Sequence, residues 1–331
     1  MDALSALTVG TAVAFAFVTG VNDCGALAAS VVSSRRFSPR KAAMVGAASS
    51  LLGALLMGSA VARMLGSGLV RLEHIPAAAR PAACACAGLA ALAWALAGRT
   101  SGLPTSSTHA ILGAWLGAFV GLGGLSVVSW GSVAMVIAVV LLSPFIGLAA
   151  AWAAYRALLR FGEELARPTL PLFKAVEGAA FAALCFANGA NAAQRAMALW
   201  VMGLVPLASW SNAATFHIPI AARLACAAAF ALGILLGSTR TLTTMAFRIF
   251  RVGPLHSVCA LLASTGLVLA ATAGGVPVSA GQIACSALMG AGAGHNVRSV
   301  RWSLASDVLL NWALTVPAPA LAAYILVRFV R

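Results

Sequence analysis

Long apolar stretches of roughly twenty residues, separated by short polar turns, run the length of this chain. No period-two alternation appears, so each stretch predicts a helix and not a strand of a barrel. The first half predicts a helix from about Leu4 to Ser34, interrupted near Gly20-Val21-Asn22-Asp23. Spans follow near Ala42 to Met64 and Ala79 to Gly98, then a broken segment after Gly102, and a closing span from Trp130 to Leu158 that carries Pro144. The second half predicts the same order: a helix broken around Asn188-Gly189-Ala190-Asn191, spans near Ala221 to Gly237 and Pro254 to Ala273, a second break, and a closing span from Trp302 with Pro317.

The pattern repeats in register. Asn22 and Asn191, Pro104 and Pro277, Trp130 and Trp302, and Leu52-Gly53-Ala54-Leu55-Leu56 and Leu232-Gly233-Ile234-Leu235-Leu236 are all about 170 to 180 residues apart. The expected organisation is a first transmembrane repeat over 1–159, a polar linker over 160–173 holding Glu163, Glu164, Pro168 and Pro171, and a second repeat over 174–331.

Composition makes the environment explicit. With 62% hydrophobic and 8% charged residues among 331, the chain has too little polar surface to cover a soluble globule of its size, and its expected place is a cell membrane, the inner membrane of a prokaryote, crossed several times. The first stretch begins Met1-Asp2 without Lys or Arg, which predicts a membrane helix and not a secretory signal.

A net charge of +14 would suggest nucleic acid in a soluble protein, but here the basic residues gather in turns between spans. Arg35, Arg36, Arg40 and Lys41 form one group, Arg156, Arg160, Arg167 and Lys174 a second, Arg240, Arg248 and Arg251 a third, Arg298 and Arg301 a fourth. The positive-inside rule places all four in the cytoplasm. That requires an odd number of crossings in the first half, counted as about five, and a second half inserted upside down. The cysteines are scattered, and Cys84-Ala85-Cys86 lacks a neighbouring His or acid, so small apolar filler is expected and metal is not.

Candidate chemistry follows from what a membrane makes costly. A charge inside a span costs about 2.5 to 3.5 kcal/mol on insertion scales, so Asp23, Arg195 and Asp307 each need a reason. Asp23 suits a proton or a cation; the alternative is a structural cap for the broken helix. Arg195, four residues after Asn191 on the same helical face, offers planar donors to a tetrahedral oxyanion or a fixed positive charge; the alternative is a side chain snorkelling to outer water. Asp307 reads as a surface partner for Arg301 or Arg298. Gly102-Leu103-Pro104-Thr105-Ser106-Ser107-Thr108-His109 is echoed by Gly275-Val276-Pro277-Val278-Ser279-Ala280-Gly281-Gln282. Each is a break followed by hydroxyls and a new helix, whose unpaired N–H groups and dipole make a seat for an anion. The hydroxyls could equally cap those helices.

These residues resemble the inorganic phosphate transporter (PiT) family, whose members carry G-A-N-D-V-x-N-A near the start of each half and G-L-P-V-S-T-T-H later in each. The resemblance covers nearly the whole chain. It implies an all-α membrane protein of two inverted-topology repeats, about five membrane segments each, with broken helices and half-helices, and the N-terminus outside. It implies a symporter that moves phosphate by alternating access with co-transported sodium or proton, and no enzyme or bound cofactor. Carried over by position, the substrate ligands are Asn22, Asp23, Ser106, Ser107, Thr108, Asn191 and Ser279, with Arg195 added from its own chemistry and Asp23 as the coupling-ion site.

The chain departs from the pattern where coupling is concerned. The motif's second Asn is Ala26 in the first copy, and in the second copy its Asp is Ala192 and its second Asn is Arg195, while T-T-H becomes Ala280-Gly281-Gln282. The expectation is that Arg195 replaces one coupling cation. Losing an acid and gaining Arg195 suits sulfate, retaining Asp23 suits phosphate, and both substrates stay open. A sensor that binds an anion without moving it is a further alternative. An intramembrane hydrolase built on Ser106 or Ser107, His109 and Asp23 is disfavoured, because Ser and His two or three residues apart on one helix face each other poorly. Lipid is the surrounding partner, nucleic acid is not expected, and a homo-oligomer stays open.

Overall fold

The computed structural model describes residues 2–101, 106–161, 171–205, 216–237, 252–302 and 314–330. Helices dominate them: α1 (Ala3–Ser33), α2 (Pro39–Leu56), α3 (Ala60–Arg63, prolonged by a π turn over Met64–Gly68), α4 (Arg80–Ser101), α5 (Ser107–Gly123) and α6 (Trp130–Phe161) in the first half. The second half has α7 (Pro171–Leu204), α8 (Ile220–Leu236), α9 (Pro254–Ala273), α10 (Ala280–His295) and α11 (Pro317–Val330). Their starts are written locally. Asp2 caps α1 by accepting from the Ser5 N–H, Ser38 caps α2 ahead of Pro39, and Ser106 caps α5.

The halves are interleaved, not side by side. Helix α1 packs on α8 and α2 on α7, while α6 packs on α10 and α5 on α11. A two-fold relation between repeats demands such exchange, and the glycines record it atom by atom. A Cβ at Gly20 would collide with the Phe230 carbonyl, and one at Gly189, its counterpart, with that of Ser50; a Cβ at Gly233 would strike the Phe17 carbonyl, and one at Gly53 that of Phe186. Backbone touches backbone at both crossings, the packing that small residues permit within a bilayer.

Helix direction follows from side-chain levels. Thr8 donates to the Pro81 carbonyl and Asn22 to that of Ala95, so α4 runs parallel to α1 and its end lies inside the membrane. Helix α5 then starts at that depth and returns to the face where Val70 and Val128 pair their backbones. Helices α4 and α5 therefore form a hairpin that enters and leaves by one face. In the second half Asn191 reaches Thr272 at the end of α9, and α10 returns to bring His295 beside His256, at the start of α9. That hairpin enters from the opposite face.

One expectation holds and one changes. The first half has five membrane segments among the described residues, α1, α2 with α3, α4, α5 and α6, of which α4, long enough to span, pairs with α5 as the hairpin. The helices are continuous through Gly20–Asp23 and Asn188–Asn191. A glycine inside a helix costs only about 1 kcal/mol, and these glycines serve helix crossings, while the neighbouring amides find partners on other helices. The break falls instead after Leu56, where α3 turns by 66° from α2. Gln194 of the other half caps that break, its Oε1 accepting from the N–H groups of Val61 and Ala62 at 2.9 and 3.2 Å. The Gly102–Pro104 break, Asp307 and most of the linker lie outside the described residues.

Candidate functional site

The two half-helix starts meet at the middle of the molecule. Gln282 Nε2 and His109 Nδ1, equivalent positions of the two repeats, are 3.3 Å apart, and the Thr108 hydroxyl donates to the Val278 carbonyl at 3.0 Å. A contact between equivalent residues marks the pseudo-two-fold axis. Two hairpins entering from opposite faces thus place the N-terminal ends of α5 and α10 together, and both offer unpaired N–H groups and a positive dipole end there.

Arg195 is the hub of this junction. It is 1% exposed, far from any snorkelling route. Its Nη1 donates to Thr108 Oγ1 and to the Val278 carbonyl at 3.2 Å, and its Nη2 to Ser107 Oγ at 3.3 Å. One side chain of the second half therefore binds the half-helices of both. Its Nε is buried without a partner and stays available to an anion.

The related position of the first half is apolar. There Ala26 stands in place of Arg195, and a Cβ on Gly281 would lie 3.4 Å from that of Ala26. Symmetry in the backbone coexists with a single-sided charge. The same holds for the acids: Asp23, 8% exposed, accepts from Asn188 Nδ2 at 3.1 Å. The counterparts of Asp23 and Asn188 are Ala192 and Thr19, and the Thr19 hydroxyl is buried with no partner.

The remaining predicted residues divide by what they touch. Ser106 Oγ accepts from the His109 N–H at 3.2 Å, the capping role. Ser279 starts α10 without a side-chain cap. Asn191 spends its whole amide on the second break, donating to Thr272 Oγ1 and the Val276 carbonyl and accepting from the Val278 N–H at 3.1 Å. Asn22 turns to α4. Ser107, Thr108 and Arg195 are brought together with the segment around Val278, while Asp23 pairs with Asn188 and the two asparagines of the motif position the hairpins.

Sequence reasoning passed over Asn188 and Gln194 as site-building residues. A signal was there: both are amides inside apolar helix, and such groups need partners. An apolar cavity of about 220 Å³ beside the site, lined by His109, Leu112, Leu116, Val136, Val140 and Val316, offers no charge to an anion.

Interleaved inverted repeats, opposed re-entrant hairpins and a buried cationic junction define a multi-pass membrane protein of the inorganic-anion transporter class. A model of the phosphate transporter family matches residues 19–182 and again 163–323, one match for each repeat. The chain belongs to the phosphate transporter family. It is 30% identical over 321 residues to a probable low-affinity inorganic phosphate transporter of Bacillus subtilis (strain 168), covering 96% of this chain and 94% of that one. A protein of the same description from Rhizobium meliloti (strain 1021) is 28% identical over 317 residues, with 95% and 92% covered. Among solved structures, the sodium-dependent phosphate transporter superposes with a TM-score of 0.86 over 99% of both chains at 18% identity. That likeness establishes the fold.

Proposed function

We propose that this chain moves inorganic phosphate across the membrane by alternating access, as a symporter driven by a proton or sodium gradient. The observation that carries the reading is the Arg195 guanidinium, buried and anchored on Ser107 and Thr108 at the N-terminal end of α5. The relatives bear the name of phosphate transporters, which supports the substrate. Phosphate sits between the two half-helix starts, held by Arg195 Nε, the Ser107 hydroxyl and backbone N–H groups, and rocking of one repeat against the other exposes it to each face in turn.

The residues fit one mobile coupling ion better than several. A sodium ion needs a cage of oxygens, and here the oxygens of Ser107, Thr108 and Val278 already receive the guanidinium. Asp23 has for its neighbour an amide N–H, a donor that a metal cation cannot use. Both facts favour a proton carried on Asp23, which phosphate with its own exchangeable proton suits. Sulfate is favoured by Arg195 alone.

Uptake of labelled phosphate into proteoliposomes, under separate proton and sodium gradients and with unlabelled sulfate as competitor, tests the reading. Accumulation driven by the proton gradient and indifferent to sulfate is expected. Competition followed by direct sulfate uptake would reassign the substrate, and anion binding without any flux would make the protein a sensor.

A further inference from the structure

Below Asp23, toward the basic face, polar groups continue in a single column between α1, α7 and α9. Asp23, Ser30 and Ser34 are seven and four residues apart, one stripe of α1 extending over about 16 Å. Helix α7 runs antiparallel to it: Asn188 meets Asp23, and eleven residues earlier Glu177 meets Ser34, whose hydroxyl donates to Glu177 Oε1 at 2.6 Å. Helix α9 brings Ser264 to the level of Ser30 and Ser257 to the level of Glu177.

Midway along the column is a void of about 10 Å³, lined by Ala26, Leu27, Ser30, Leu184, Ser264 and Cys285. That is room for about one water and far too little for a tetrahedral oxyanion. The hydroxyls of Ser30 and Ser264, 6% and 0% exposed, have no hydrogen-bond partner within the protein. Buried hydroxyls are nearly always paired, and the void these two share has the room and the two polar partners for one bridging water. Glu177 is itself 2% exposed, an acid withdrawn from water at the end of the column. The groups around it are Ser34 and Arg36 after α1 and Ser257 of α9. Arg36 and Lys41 both lie over the Phe37 ring on the basic face.

We infer that Asp23, the void between Ser30 and Ser264, and Glu177 form a proton path from the substrate site to the cytoplasmic face, with Glu177 the group that releases the coupled proton. This rests on the reading of the protein as a proton-coupled phosphate carrier. The proton held on the Asp23 carboxyl is relayed by water along the column, through the void between Ser30 and Ser264, which Asp23 does not itself line, and past Ser30, one helical turn from Ser34 and not bonded to it, to the Glu177 carboxylate that accepts from Ser34. Glu177 releases it to cytoplasmic water. Asp23 is left ionised, Glu177 returns to its starting form, and one proton has moved. Phosphate leaves by another route, since the void is too small and a carboxylate at its end repels an anion.

The test uses the full chain in proteoliposomes with two readouts, exchange of labelled against internal phosphate and the change in internal pH that accompanies phosphate entry. For Glu177→Gln, exchange is expected near the wild-type rate, while proton entry and gradient-driven accumulation fall at least about tenfold. Ser264→Val, which fills the void and leaves Glu177 intact, is expected to behave the same way, and Glu177→Asp to restore proton entry. Wild-type proton entry in both Glu177→Gln and Ser264→Val would overturn the path, as would loss of exchange and proton entry together in Glu177→Gln. Absence of phosphate exchange in the wild-type protein would instead overturn the carrier reading itself.

Discussion

Replacing Arg195 by Ala removes the guanidinium that holds Ser107, Thr108 and the Val278 carbonyl at once, and its effect can be sized from the contacts. The guanidinium donates to Thr108 Oγ1, Ser107 Oγ and the Val278 carbonyl, and keeps Nε for the anion. A hydrogen bond to a charged group contributes about 1.5 to 3 kcal/mol, and about 1.4 kcal/mol is a factor of ten in affinity. Loss of the single bond from Nε to phosphate therefore predicts affinity about 10- to 150-fold weaker. The three contacts to protein are less sensitive, because the Val278 carbonyl still accepts from the Thr108 hydroxyl at 3.0 Å. Folding should suffer less than binding. Arg195→Lys keeps the charge but not the planar fork, and should fall between Ala and wild type. Phosphate-dependent thermal stabilisation of the purified protein, together with the KM for exchange in proteoliposomes, measures both effects. An Ala variant that binds phosphate with wild-type affinity would refute the placement of the anion at this junction.

Asp23→Asn should abolish gradient-driven accumulation and leave phosphate exchange, since Asn188 can still hydrogen-bond to the new amide oxygen; accumulation at the wild-type level would remove Asp23 from coupling. Arg195→Asn, which restores the residue of the family motif and frees three oxygens, should bring sodium-stimulated uptake or sodium-dependent thermal stabilisation where the parent protein has none. Gly189→Ala forces a Cβ against the Ser50 carbonyl at a backbone-to-backbone crossing. Overpacking of this kind costs about 1 to 3 kcal/mol, so a lower melting temperature and poorer yield are expected, whereas Gly10→Ala, with nothing near its Cβ position, should be neutral. Gln194→Ala leaves the Val61 and Ala62 N–H groups unpaired at a buried break. A cost of about 1 to 3 kcal/mol follows, readable as thermal destabilisation that Gln194→Glu partly reverses.

How much of this was legible beforehand depends on whether a residue acts locally or across the fold. Ser106 and Pro254 announce helix starts, and the repeat spacing set the two halves in register, because capping and periodicity are properties of adjacent residues. Gly20 and Gly189 were misread as breaks. A glycine permits both a bend and a close approach, and only the helix opposite, with the Phe230 or Ser50 carbonyl pressed against it, decides between them. Asn191 is a ligand candidate through its place in the family motif. Its three partners, Thr272 and the backbone of Val276 and Val278, are some eighty residues away in sequence and belong to a hairpin whose position no local pattern encodes.

That this chain lives in a membrane, that it is helical and two-fold repeated, and that its second repeat carries Ala192 and Arg195 in the motif is written along the chain. Those are matters of composition, period and identity, each readable along one dimension. Only the tertiary structure decided that α4 with α5 and α9 with α10 turn back as opposed hairpins, and that Arg195 reaches across to Ser107 and Thr108. It also decided that Asp23 has Asn188 and not Arg195 for its hydrogen-bond partner. The physical reason is that a bilayer rewards every apolar helix alike, so hydropathy cannot say which helices cross and which return. Depth and pairing are settled by backbone contact at glycines and by the need of each buried polar group for a partner.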